Sequence, residues 1–171
     1  VGAAGAIVPL IGLLGAGCAK CHEQACGALI TVLYKNGDHE KLAVQSGLVP
    51  ALVPLIRAGA TSAAARSEAL KCTAMLVDST VLTQRRIVDA GGLEAFVELL
   101  KTGAPAPDQR RAVDCLAKLS VPSDFRRRFV QADVAKAAQD FSNTTDDAEA
   151  EKLAEELLDR LIPDRHGGPP G

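Results

Sequence analysis

Tryptophan is absent from this 171-residue chain, and aromatic residues of every kind make up only 3% of it. A core without large rings has to be built from Ala, Leu, Val and Ile, which suits closely packed helices. Strong charge of one sign is also missing. The formal net charge is -2, which sets aside attraction to nucleic acid or to an anionic membrane surface. No apolar run approaches the ~18 residues that a bilayer-spanning helix needs. Residues 3–17 are apolar, but they contain Pro9 and four glycines and have no basic start, a poor match to a signal peptide. Val1 stands where an initiator Met would, which fits a fragment of a longer protein.

Catalytic signatures are equally scarce. Gly2, Gly5, Gly12, Gly15 and Gly17 are scattered, and no Gly-Lys-Ser/Thr follows them, so there is no phosphate-cradling loop. No nucleophile elbow or paired-carboxylate motif is present, and the three histidines, at 22, 39 and 166, are far apart. The reading is of a non-enzyme.

What the chain does have is cysteine. Five occur, an odd number in a chain large enough to fold without staples, which fits a reducing, cytoplasmic compartment better than a disulfide scaffold. Three of them fall in Cys18-Ala-Lys-Cys21-His22-Glu-Gln-Ala-Cys26. C-x-x-C-H is the spacing of c-type haem attachment, but haem also wants a distal ligand, and the only Met, Met75, lies on another helix. Zinc held by Cys18, Cys21, His22 and Cys26 is the better cofactor reading, because these positions fall near one helical face. A redox-sensing pair at Cys18 and Cys21 is a further reading. Against all of these stands an ordinary helix start carrying free thiols, with no cofactor, and that is the expectation adopted.

The chain also repeats itself. Gly5-Ala-Ile-Val-Pro-Leu-Ile-Gly-Leu-Leu14, Gly47-Leu-Val-Pro-Ala-Leu-Val-Pro-Leu-Ile56 and Gly92-Leu-Glu-Ala-Phe-Val-Glu-Leu-Leu100 correspond. A second set starts at Ala25, Arg66 and Ala112, and a third at Lys41, Arg86 and Arg128. The period of about 42 to 46 residues is that of two- or three-helix solenoid repeats. Each unit reads as a short helix, a glycine bend, a second helix, a small loop and a longer third helix. Asp38, Ser79 and Ser123 are the expected N-caps of the first helices, and Asp146 with Glu149 forms a capping box for a last helix over Ala148 to Leu161. Pro9 and Pro50 are placed in first turns, and Pro54 is expected to kink or shorten its helix. In this alignment Cys26 matches Ser67 and Val113.

The Ile-Val-Asp-Ala-Gly-Gly-Leu-Glu-Ala-Phe-Val-Glu-Leu-Leu stretch at 87–100 and the Ala-Leu pattern of the third helices resemble the armadillo repeat family, over roughly residues 1 to 141. The resemblance implies an all-α, right-handed α-solenoid of about three to four units, at about 1–36, 37–78, 79–120 and 121–162. The first lacks its leading helix and the last is closed by an acid-rich capping helix. Residues 163–171 read as a flexible tail. The resemblance also implies a non-catalytic module, monomeric, that binds another protein through a concave face lined by third helices. Peptide-carrying members place an Asn there, often beside a Trp. The matching positions here are Thr31, Cys72 and Lys118, so the groove should be shallower. Arg85, Arg86, Arg110, Arg111, Arg126, Arg127 and Arg128 cluster in the last two units, as a solvated face or as a patch for an acidic protein surface. Thr31, Cys72, Lys118, Arg110 and Arg111 are the candidate contacts. A narrower resemblance, over Arg66 to Leu161 with Glu23 or Arg110 at third-helix starts, is to the armadillo-type nucleotide-exchange factors of DnaK-class chaperones, which implies a chaperone ATPase as partner.

Overall fold

A computed structural model describes residues 3–57, 59–163 and 165; the expected tail at 163–171 falls almost wholly outside them. The described residues form eleven α-helices and one 3-10 turn, with no strand. In order they are α1 (Ala3–Ala16), α2 (Ala19–Leu33), α3 (Gly37–Gln45), α4 (Leu48–Ile56), α5 (Ala63–Val77), α6 (Val81–Asp89), α7 (Gly92–Lys101), α8 (Ala106–Leu119), a turn at Ser123–Phe125, α9 (Arg126–Gln131), α10 (Val134–Ser142) and α11 (Ala148–Leu161).

Two ladders run through the molecule. Helices α2, α5, α8 and α11 touch in that order, and so do α1, α4, α7 and α10. The rungs pair across, α1 with α2, α4 with α5, α7 with α8 and α10 with α11, and one continuous core lies between the ladders. The short helices α3 and α6 bridge neighbouring rungs at the edge. This is an α-solenoid, and stacking is what gives each amphipathic unit a partner for its apolar face.

The sequence dictates the bends. Gly47 and Gly91 cap α4 and α7 with φ of 90° and 87°, a left-handed conformation that costs an L-residue about 1–2 kcal/mol. The same place before α10 is taken by Asp133 at φ 55°, one of the few side chains that tolerate it. A Cβ on the next residue, Gly92, would lie 2.6 Å from Ile87 Cγ2, so the α6–α7 corner closes only over a bare backbone.

Several local expectations shift by a residue or more. The N-caps are Asn36 rather than Asp38, Thr80 rather than Ser79, and Asp147 rather than Asp146. In each the side-chain oxygen takes an N–H from the first turn, and the chain enters the helix at that residue. Ser123 opens the 3-10 turn and caps nothing. Glu149 does not reach back to close a box; its N–H donates to Asp147 at 3.1 Å. Pro9 sits mid-helix in α1, while Pro50 does lie in the first turn of α4, which ends two residues after Pro54.

Candidate docking face

Counting from the N-caps Cys18, Ser62, Pro105 and Asp147 sets the register of the α2–α5–α8–α11 ladder. Ala25, Ala69, Ala112 and Ala154 occupy one position, and all four are buried. A row of methyl side chains lets neighbouring helix axes approach closely. In this register Cys26 matches Leu70 and Val113, not Ser67. The outward row reads Thr31, Met75, Lys118 and Arg160.

The sequence alignment placed Cys72 in that row. Cys72 is 0% exposed and belongs to the core, one position with Cys115 and Ala28. Desolvation pushes the thiols of both Cys72 and Cys115 well up. No partner can touch Cys72 without unpacking α5, and the half-buried Met75 holds the surface position instead.

Thr31 is exposed, with its hydroxyl donating back to Gly27 O at 3.1 Å. Beside it Glu23, Gln24, Gly27, Ala28, Thr31 and Glu68 line a groove of about 470 Å³. Gly27 supplies no side chain, and a Cβ there would meet nothing within 4 Å, so the backbone of α2 is open at this point. Sequence reasoning missed this groove; only the cap-to-cap count places Glu68 beside α2.

The three predicted cations lie on α8, Arg110 and Arg111 near its start and Lys118 near its end, and all are already engaged. Arg110 bonds Asp147 Oδ2 at 2.9 Å through Nε and Glu149 Oε2 at 2.7 Å through Nη1, tying α8 to the start of α11. Lys118 Nζ lies 2.8 Å from Asp78 Oδ1 and 2.9 Å from Asp114 Oδ2. Desolvation lowers the Lys118 pKa, and these two carboxylates outweigh it, raising it to about 12. Arg111 is 3.7 Å from Asp108, a buried carboxylate that also accepts the Ser67 hydroxyl at 2.8 Å. Of the wider arginine cluster, Arg85 pairs with Asp124 and Arg128 with Asp89, while Arg86, Arg126 and Arg127 make no ion pair among the described residues.

The zinc reading is overturned. No group of three or more His, Cys, Asp or Glu is placed to hold a metal among the described residues. Cys26 is buried one helical turn below the others, where desolvation first and Glu68 second push its thiol up to about 12. His22 Nδ1 is engaged with Thr61 Oγ1 at 3.1 Å, so the imidazole faces the loop before α5 rather than the thiols. No described helix is long and apolar enough to cross a membrane.

No protein-family model matches the chain, and no curated protein does. Solved structures do. An engineered protein from a structural genomics consortium is 26% identical with a TM-score of 0.80, over 92% of this chain and 62% of that one. A designed armadillo repeat protein is 21% identical with a TM-score of 0.79, over 92% and 65%. Another, in complex with the peptide (KR)4, is 21% identical with a TM-score of 0.80, over 92% and 64%. The chain thus spans less than two thirds of the length of these proteins. The likeness fixes the fold as an armadillo-type α-solenoid.

Proposed function

We propose that this chain is a non-catalytic docking module that lays a segment of another protein along the outward face of α2, α5, α8 and α11. The observation that carries this reading is the unbroken row Thr31, Met75, Lys118, Arg160, with an open groove beside its first member. Gly27 and Thr31 offer backbone and hydroxyl at the α2 end. Lys118, Arg110 and Arg111 offer N–H groups at the other end, where a partner's carboxylate competes with Asp78, Asp114, Asp147 and Asp108. The acids paired with these cations leave the face mixed in charge, which favours a protein over a polyanion. In this reading residues 1–162 act as one domain of units at about 1–36, 37–78, 79–120 and 121–162. The chain works as a cytoplasmic monomer, with five free thiols. The three neighbours described above do not bear on the exchange-factor reading.

Affinity capture from a native lysate tests the proposal. Thr31→Arg fills the groove from an exposed position, and Lys136→Glu alters the exposed face of α10 on the opposite ladder. A protein retained by wild type and by Lys136→Glu but lost with Thr31→Arg is the expected result. Loss with Lys136→Glu alone would move the site to the other face. A chaperone ATPase among the retained proteins, released by ATP, would revive the exchange-factor reading.

A further inference from the structure

We propose that Cys18 and Cys21 are a redox-active dithiol that closes reversibly to an intrachain disulfide by exchange with a low-molecular-weight disulfide. The two sulfurs lie 2.9 Å apart at the solvent-facing start of α2. A disulfide bond is about 2.05 Å long, so closure needs a movement of less than about 1 Å. Cys18 is exposed and Cys21 half-buried, whereas Cys26, Cys72 and Cys115 are buried. Gly17 makes room for the pair: a Cβ at Gly17 would lie 2.7 Å from the Cys21 Cβ and 2.4 Å from Leu13 O. Any larger residue there would push Cys21 away.

The two thiols have different roles. Cys18 caps the helix, its sulfur accepting the Cys21 N–H at 3.4 Å. The Cys21 thiol first, and this N–H second, hold the Cys18 thiol below its ordinary range. A thiolate at a helix start is the attacking form. In the first step the Cys18 thiolate attacks one sulfur of the small disulfide, whose S–S bond breaks and expels one thiolate. Cys21 then gives up its proton, attacks Cys18 Sγ and expels the second. Two protein thiols are oxidised, one small disulfide is reduced to two thiols, and the protons pass to the thiolates that leave. The three buried cysteines are excluded by access and by the cost of ionising them in the core.

Oxidised and reduced glutathione in graded ratio are the probe, applied to the native chain, with acid quench, alkylation of free thiols and peptide mass mapping. The expected product loses two hydrogens, maps to the peptide holding Cys18 and Cys21, and reverts with dithiothreitol. Cys18→Ser and Cys21→Ser each retain a lasting glutathione adduct on the remaining thiol. In reducing buffer, native Cys18 should alkylate more than about tenfold faster than Cys26, Cys72 or Cys115. Wild-type protein carrying separate adducts on both cysteines, or both thiols remaining open to alkylation at the most oxidising ratio, would overturn the proposal.

Discussion

The α2–α5 and α8–α11 junctions are the first and last steps of one ladder, held by different chemistry. Between α2 and α5 the interior carries two thiols, Cys26 and Cys72, with Cys26 near enough to affect the Cys72 thiol, and among the described residues the one polar tie is the His22 bond to Thr61 in the loop before α5. Between α8 and α11 the alanine row is the same, but Arg110 grips Asp147 and Glu149, and Arg160 Nη1 donates to Ala117 O at 2.8 Å. The last unit opens with a 3-10 turn and a helix of only six residues, α9, so less of it packs on its neighbour. Side-chain ties there compensate for a reduced first helix. The difference also explains the acids of α11. From sequence they mark an acid-rich capping helix, yet Asp147 and Glu149 face back to Arg110, and Glu155 takes the Ser142 hydroxyl and Arg165.

The contrast can be broken at several points. Leu29→Ala, at a fully buried position of α2, strikes the end held by packing; it should cost about 2–5 kcal/mol in denaturant unfolding. Ser67→Ala acts at the middle junction and withdraws the hydroxyl from buried Asp108, leaving that carboxylate with Arg111 at 3.7 Å. The expected loss is about 1–3 kcal/mol.

Asp147→Ala should cost less than either and depend on pH. The Ala150 N–H lowers the Asp147 pKa, desolvation opposes this, and Arg110 lowers it further. Because the folded pKa lies below the ordinary 3.8, the carboxylate stabilises the fold fully above that value. This contribution disappears as pH falls through the depressed native pKa. The variant should therefore melt below wild type at neutral pH, and the gap should close in acid. Lys118→Met, at a partly exposed ion pair, should be the smallest change, about 0.2–1 kcal/mol and weaker in high salt.

The fold was legible because its signals are local and repeated. Gly47 and Gly91 mark bends that only a bare residue enters cheaply, and the Leu and Ile spacing of α4 and α7 marks their buried faces. The face was less legible because it depends on register between helices far apart in sequence. The alignment matched Ala25 to Arg66, although Ala69 is the residue that shares its buried position. That slip of three residues put Cys72 on the surface and hid Met75. Ion pairs were illegible for a similar reason: the arginines stand out as a cluster, while partners such as Asp124 and Asp147 lie 39 and 37 residues away.

Amine-reactive crosslinking of the chain to its captured partner, read by mass spectrometry, tests the docking face most directly. Lys71, Lys118 and Lys152 lie on the α2–α5–α8–α11 ladder, and Lys41, Lys101 and Lys136 lie on other helices. Crosslinks concentrated on the first three are the predicted result. Crosslinks concentrated on Lys41, Lys101 and Lys136 would contradict it and place the partner on the opposite side of the solenoid.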